Sequence, residues 1–527
     1  MTSENLAKNS NAWAKHSVMR WALFLVALLS LSATTCVAQQ VSATLFGTVT
    51  DPAGAVIPDA KITALNPANG RSTTATTQAD GSYVFPSLEP ADYTITLEKT
   101  GFDKYEQNRV TMVVNQKSRL DIQLRVGTLA TTVEATAVAP IVETGTASVG
   151  LTVDTRQVTE LPLNTRRFGS LPLLMAGTVP DRGGFSSNIF GSPFSEVTYA
   201  SNGLRGSGNN VLIDGVDSKN MFTGGFSIQP SPDAVQEFKV QTQSFSAVFG
   251  KNGGSTINLT TKQGTNQFHG SAFEFLRNNN LDARNFFSAR RPSYQRNQFG
   301  GYVGGPIRKN KTFFFGGYEA LRERKGLTYA GQVPTPAMLN GDFSALLAQP
   351  DPSTGTVPYR IIDPLSCSNP PFGAACQAFP GNIIPPDRIS DVAKVIIPFF
   401  PQPNISGAST VGTNNYVLNP KRSRNDNQFS GRVDHSFSEK DNLYVRYMLA
   451  QSITLTPEQA YPALPGFGDR IRFRGQNVAL SWTHTISPTM LNEVRVGFSR
   501  NMDIGTCVSC PRKPGFVESF GIQGLTA

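Results

Sequence analysis

The sequence predicts a mainly β chain in three parts. A small β-sandwich comes first, an α+β segment second, and an incomplete antiparallel transmembrane β-barrel of about seven strands with long external loops last. Three observations predict this. Only 16% of the 527 residues are charged, while 47 are Gly and 35 are Pro, which favours strands and turns over helices. Apolar and polar residues alternate with period two through much of the chain. Beyond residue 266 the strands lengthen to roughly ten residues, and the gaps between them alternate short and long, as in a membrane-crossing barrel. The 34 Phe and 13 Tyr argue against a disordered chain.

At the N-terminus, Lys8, Lys15 and Arg20 precede an apolar run, Trp21–Leu31. About eleven residues is too short to span a bilayer as a helix. Small residues follow up to Cys36-Val37-Ala38-Gln39, so residues 1–38 read as a secretory signal peptide cut near Ala38. An uncleaved anchor is the alternative; a lipoprotein Cys36 fits less well, because Ala33-Thr34-Thr35 is a poor lipobox. The exported chain keeps Cys367, Cys376, Cys507 and Cys510. Export makes local disulfides, Cys367 with Cys376 and Cys507 with Cys510, the expectation. A four-thiolate zinc site is the alternative, but only one Cys-x-x-Cys knuckle occurs. The formal charge of +9 is spread thinly, with no basic run interleaved with aromatics, which argues against a nucleic-acid partner.

Residues 41–126 carry short alternating runs separated by turn chemistry. Strands are expected at Thr44–Thr50, Lys61–Asn66, Ser72–Thr77, Ser82–Phe85, Tyr93–Glu98, Arg109–Val114 and Arg119–Arg125, with turns at Asp51-Pro52-Ala53-Gly54 and Asp80-Gly81. The runs Gly47-Thr48-Val49-Thr50-Asp51, Gly54-Ala55-Val56-Ile57-Pro58-Asp59-Ala60 and Asp80-Gly81-Ser82-Tyr83-Val84-Phe85 resemble the carboxypeptidase regulatory-like domain. That resemblance implies a non-catalytic, transthyretin-like sandwich, similar also to carbohydrate-binding modules. Residues 127–137 form a Thr/Val-rich linker able to pair as an extended strand when offered a sheet edge.

Residues 138–265 mix the two grammars. Leu161, Phe168, Leu171 and Leu174 have helix-like spacing over Leu161–Gly177, and Asp233–Glu237 is a second short helix candidate. Strands are expected at Asn210–Asp214, Phe238–Ser244 and Ser255–Thr261. Residues 266–527 then carry seven strands near 268–277, 296–307, 312–321, 427–437, 443–453, 474–486 and 491–502. In the sixth, Val478, Leu480, Trp482 and Ile486 share one face, while Asn477, Ala479, Ser481 and Thr483 share the other. Gaps at Arg308–Lys311, Ser438–Asn442 and Ser487–Met490 are tight, whereas Asn278–Gln295, Arg322–Asp426 and Thr454–Phe473 are long. The longest must hold structure of its own, including an amphipathic piece at Asp391–Phe400.

The order of parts, with the runs Asn202-Gly203-Leu204-Arg205-Gly206, Val211-Leu212-Ile213-Asp214-Gly215-Val216, Glu237-Phe238-Lys239-Val240 and Ile257-Asn258-Leu259-Thr260-Thr261-Lys262, resembles a TonB-dependent outer-membrane transporter. Gly270-Ser271-Ala272-Phe273-Glu274-Phe275, Asn297-Gln298-Phe299-Gly300-Gly301-Tyr302-Val303-Gly304-Gly305-Pro306-Ile307 and Lys311-Thr312-Phe313-Phe314-Phe315-Gly316-Gly317-Tyr318-Glu319 are similar to its Oar-like subgroup. The resemblance implies a plug at 138–265 and a candidate TonB box at Thr131-Thr132-Val133-Glu134-Ala135-Thr136-Ala137. It implies the inner-membrane TonB complex, the barrel assembly machinery and outer-membrane lipid as partners, with the sandwich in the periplasm. The ligand is not readable; a glycan and a peptide are both open. It also implies a barrel of about 22 strands, so the chain is expected to be an N-terminal portion. The end, Gly521-Ile522-Gln523-Gly524-Leu525-Thr526-Ala527, lacks the aromatic-terminated strand that barrel assembly expects.

Within the plug, Asp214-Gly215 reads either as a strand-ending turn or as part of a buried pair of Asp214 with Arg205. The polar strand residues Glu274, Arg432, Asp434, Arg446, Glu493 and Arg495 either pair with the plug or line a hydrated lumen. No enzyme, cofactor or metal is predicted. His269, His435 and His484 lack zinc-protease spacing, no phosphate loop occurs, and Gly203-x-x-Gly206-x-Gly208 lacks a strand–turn–helix setting. The competing reading is a surface adhesin or carbohydrate-binding protein, which needs no plug.

Overall fold

The structure, a computed structural model, describes residues 42–127, the backbone of 132–134, then 147–161, 163, 166–181, 199–220, 225–249, 252–284, 291–349, 355, 359–367, 376–405, 414–457, 468–487, 490–508 and 521. The expected signal peptide lies outside them.

The N-terminal domain has strands β1 (Ala43–Thr50), β2 (Lys61–Asn66), β3 (Arg71–Thr76), β4 (Ser82–Leu88), β5 (Ala91–Glu98), β6 (Lys104–Met112), β7 (Lys117–Arg119) and β8 (Ile122–Gln123). One sheet runs β4–β1–β7, with β8 also on β1. The other runs β3–β2–β5–β6 and ends on β9 (Thr132–Glu134). Alternation seals the two together: Leu45 and Val49 of β1 meet Ile62, Ile95 and Leu97 of the facing sheet in one buried core. Asp51 shapes the first turn by accepting from the Ala53 and Ala55 N–H groups at 2.9 and 2.8 Å.

The middle domain holds β10 (Val149–Asp154), a helix at Thr155–Glu160, β11 (Thr178–Pro180), β12 (Tyr199–Ser201), β13 (Asn210–Ile213), β14 (Val216–Asp217), β15 (Val235–Gln243) and β16 (Thr256–Thr261). Its main sheet runs β10–β15–β16–β13–β14. The helix expected over Leu161–Gly177 is not there. The α-helix lies earlier, started by an Asp154 capping box, and Phe168–Leu174 is a tighter 3-10 stretch containing Pro172. Proline removes a helical donor and clashes with the preceding turn, so apolar spacing alone misleads here. Likewise Asp233–Glu237 is divided between a 3-10 turn, Pro232–Ala234, and the start of β15.

The third domain is one antiparallel sheet of seven strands. These are β17 (His269–Asn278), β18 (Tyr294–Arg308), β19 (Thr312–Gly326), β22 (Lys421–Ser436), β23 (Asp441–Thr456), β24 (Asp469–Ser487) and β25 (Met490–Cys507). Between β19 and β22 the chain forms the short pair β20 (Tyr329–Gly331) and β21 (Tyr416–Leu418), which extends the ladder outward. The intervening loop carries a helix at Asp391–Ile396 and the Cys367–Cys376 disulfide. Cys507 is also disulfide-bonded; its expected partner, Cys510, lies outside the described residues.

This sheet is inverted relative to a soluble protein. Gln298, Glu319, Gln428, Arg446 and Asn477 are buried, whereas Phe299, Val303, Val445, Val496 and Phe498 are exposed. Arg446 is 0% exposed and Val496 60%. Water does not favour a long row of outward Val and Phe. The pattern suits a sheet whose outer side meets hydrocarbon and whose inner side meets a polar filling. Among the described residues no helix is long and apolar enough to cross a membrane, which says nothing of crossing by strands.

Candidate functional site

The middle domain provides the filling, and its grip centres on the β13–β14 hairpin. Ile213 pairs with Val216 across Asp214-Gly215, where φ is +48° and +74°. Two left-handed residues are what a two-residue hairpin needs, and Asp-Gly supplies them. The turn aims the Asp214 carboxylate inward, where only 2% of the residue stays exposed. Its oxygens accept from the Thr261 N–H at 2.9 Å and the Thr261 hydroxyl at 2.8 Å, both from the end of β16.

Two wall arginines complete the site. Arg446 Nε lies 2.7 Å from Asp214 Oδ2, and Arg432 Nη1 lies 3.6 Å from Oδ1. Arg446 also donates to the Ile213 carbonyl at 3.3 Å and to Asn477 Oδ1 at 2.6 Å. Arg432 pairs with Asp434 at 2.7 Å and lies 4.4 Å from the centre of the Tyr444 ring. The Tyr444 hydroxyl donates to the Asp214 carbonyl at 3.1 Å. A Cβ at Gly215 would lie 1.7 Å from Arg495 Nη1, so a side chain there would displace that guanidinium as well as strain the φ of +74°. One hairpin is thus held by β22, β23 and β25 together.

The pairing with Arg205 is corrected. Arg205 is exposed and precedes the 3-10 turn Gly206–Gly208, while the cations on Asp214 come from Arg432 and Arg446. Glu493 and Arg495 pair with each other, and Glu274 is exposed. Further bridges spread the grip. Gln428 donates to the Gln229 carbonyl at 2.6 Å, and the Ser227 and Ser499 hydroxyls lie 2.9 Å apart. Arg166 pairs with Asp233 and lies 4.2 Å from the Phe273 ring centre. Met448, Ala450 and Phe473 of the wall join the core of the middle domain.

The sandwich docks on both other domains. The Val114 N–H donates to Glu237 of β15, and Lys239 donates to the Asn115 carbonyl at 3.4 Å. The Asn266 N–H donates to the Ala68 carbonyl at 2.8 Å. Burial pushes the Glu237 carboxyl up to about 7; the Val114 N–H and Lys239 pull against that, and Asp154 adds to it. A cleft open to solvent lies between the three domains, lined by Arg71 and Glu89 of the sandwich, Asp214, and Arg432, Tyr444 and Arg495 of the wall. Burial raises the Glu89 carboxyl, but Arg71 and Arg432 more than offset it, so it sits below its ordinary value.

Of the linker residues singled out by sequence, Thr132, Val133 and Glu134 form β9, paired in parallel with Lys104, Tyr105 and Glu106 of β6. Thr131, Ala135, Thr136 and Ala137 lie outside the described residues. Sequence reasoning missed Thr261 and Tyr444, whose roles depend on the register of distant strands.

The first and third domains match known families. Residues 260–526 match the family model of the outer membrane beta barrel domain, and residues 44–125 match the carboxypeptidase regulatory-like domain. Over 298 residues the chain is 29% identical to the TonB-dependent transporter Oar of Myxococcus xanthus, covering 53% of this chain and 26% of that one. The chain therefore spans about a quarter of that relative's length. Among solved structures, a variant of the ferric enterobactin receptor of Pseudomonas aeruginosa aligns at 10% identity and TM-score 0.34, over 68% of this chain and 45% of that one. The outer membrane transporter YddB of Escherichia coli aligns at 10% identity and TM-score 0.42, over 68% and 40%. The barrel family model covers half of the sequence and falls on the inverted sheet, so the chain belongs to the outer membrane beta barrel domain family and carries a carboxypeptidase regulatory-like domain ahead of it.

Proposed function

We propose that the chain belongs to a TonB-dependent outer-membrane receptor that takes up its ligand through a plugged barrel. In this reading the middle domain is the plug, the seven-stranded sheet is part of the barrel wall, and the sandwich sits in the periplasm. Thr132–Glu134 is the core of the box engaged by the TonB complex of the inner membrane. The chain reaches its place by export through the signal peptide and insertion by the barrel assembly machinery, and its outward Val and Phe rows meet lipid. Its role is binding and coupled movement rather than covalent chemistry.

One observation carries this reading: wall arginines buried on the inner face are neutralised by an acid from the domain that fills it. An adhesin without transport has no need for such a filling. The test is conductance. Residues 138–265 are deleted from the protein as its organism makes it, and both forms are reconstituted in planar bilayers. A large, steady ion-conducting pore is expected only in the deletion form. Equal, low conductance in both would remove the plug assignment.

A further inference from the structure

The linker strand β9 is not a loose tether. It is the last strand of the sheet β3–β2–β5–β6–β9, in register Lys104 with Thr132, Tyr105 with Val133 and Glu106 with Glu134. The preceding chain is anchored beside it. The Asp103 N–H donates to the Arg125 carbonyl at 2.9 Å, the Gly127 N–H donates to the Gly101 carbonyl at 3.3 Å, and Phe102 bridges to Val126. A Cβ at Gly127 would lie 1.7 Å from the Asp103 carboxylate, so the exit fits only glycine without rearrangement. The sandwich therefore delivers the linker to the start of β6.

We propose that the sandwich is the platform on which the TonB partner lands: it holds Thr132–Glu134 extended on β6, and the partner's strand joins on the opposite edge as the next strand of the same sheet. This rests on the box assignment made above and deepens it. A strand directs its N–H and C=O groups alternately to its two sides, so pairing with β6 uses one side only. Among the described residues no strand pairs with the other side of β9. An end strand of this kind is a template for one more extended segment. Holding it in place removes much of the ordering cost that a free linker meets on binding.

Pull on such a joint reaches the middle domain by two routes. One is the chain leading to β10, which pairs with β15. The other is the sandwich itself, through Val114 on Glu237 and Asn115 on Lys239, and it ends on the same strand, β15. The sandwich and the linker thus load one strand together.

The alternative is that β6 hides the box and the partner must strip it away. A staple separates the two. Register partners on adjacent strands lie about 4.8 Å apart, within reach of a disulfide. Tyr105→Cys and Val133→Cys are introduced together into the full-length receptor in detergent, and binding of the periplasmic domain of TonB is measured by fluorescence anisotropy. The oxidised form is expected to bind within about threefold of the reduced form, or more tightly. Loss of binding on oxidation, restored by reductant, overturns the platform in favour of hiding. Failure of the disulfide to form, while a control pair at Leu97→Cys and Tyr105→Cys closes, overturns the β6–β9 pairing itself. Absence of binding in the reduced form and in the unmodified protein is the separate result that overturns the box assignment.

Discussion

Asp214 joins three parts of the chain at one carboxylate: its own turn, the end of β16, and two wall strands. Arg446 is fully buried, so removing its counter-charge leaves an uncompensated cation. Asp214→Asn is expected to cost about 3–5 kcal/mol, and Arg205→Ala, at an exposed site, within about 0.5 kcal/mol. The midpoint of heat-induced unfolding of the two variants checks this, and equal losses would restore the pairing with Arg205. Glu237 gives a pH signature. Its folded carboxyl titrates near 7, above its ordinary value of 4.5. The folded state therefore holds the proton more tightly than the unfolded one. The resulting stability is fully present below about pH 4.5 and is lost as the pH rises through about 7. Glu237→Gln should raise the unfolding midpoint at pH 8, by about 1–3 kcal/mol of stability, and leave it nearly unchanged at pH 5. A lower midpoint at pH 8 would mean that the charged carboxylate is what holds the sandwich.

The strands were the most legible elements. Period-two alternation and tight gaps located the seven strands that the third domain's sheet has among the described residues, and the ladders lengthen most of them because backbone pairing continues where the side-chain pattern stops. The Asp-Gly turn and the candidate wall arginines Arg432 and Arg446 were also readable. Their meeting was not, because Asp214 and Arg446 lie 232 positions apart and meet only through the register of two sheets. The helices of the middle domain read poorly because Leu spacing around proline resembles a helical face without allowing one, whereas the helix at Asp391–Ile396 fell inside the expected Asp391–Phe400. The loop between β19 and β22 was legible through its cysteines. Gly341 and Phe343 exchange backbone bonds with Ile384 and Asn382, and the Cys367–Cys376 bridge closes the tip of that fold. Cys376→Ser, with Cys367→Ser to avoid a free thiol, should leave the barrel strands resistant to trypsin but speed cleavage at Arg360 and Arg388. A time course read by mass spectrometry checks this, and unchanged cleavage would show that hydrogen bonds alone hold the loop.

At the scale of the whole molecule, the three domains pack against one another in series. The sandwich rests on the middle domain and on the rim, and the middle domain fills the inner face of the wall. The two-sided burial of Arg446 and Arg432 bears on the order in which such a molecule is made. A wall strand carrying an unpaired arginine on its inner side relies on lumen water for that charge until the filling domain displaces the water and supplies the counter-ion. The domain that supplies Asp214 lies ahead of those strands in the sequence, so on the export route proposed above it would emerge first. Its hairpin can be seated before β22 and β23 arrive, and each arriving strand then finds its counter-ion waiting. On that route the acid that grips the finished wall would also serve as a counter-ion while the wall is built.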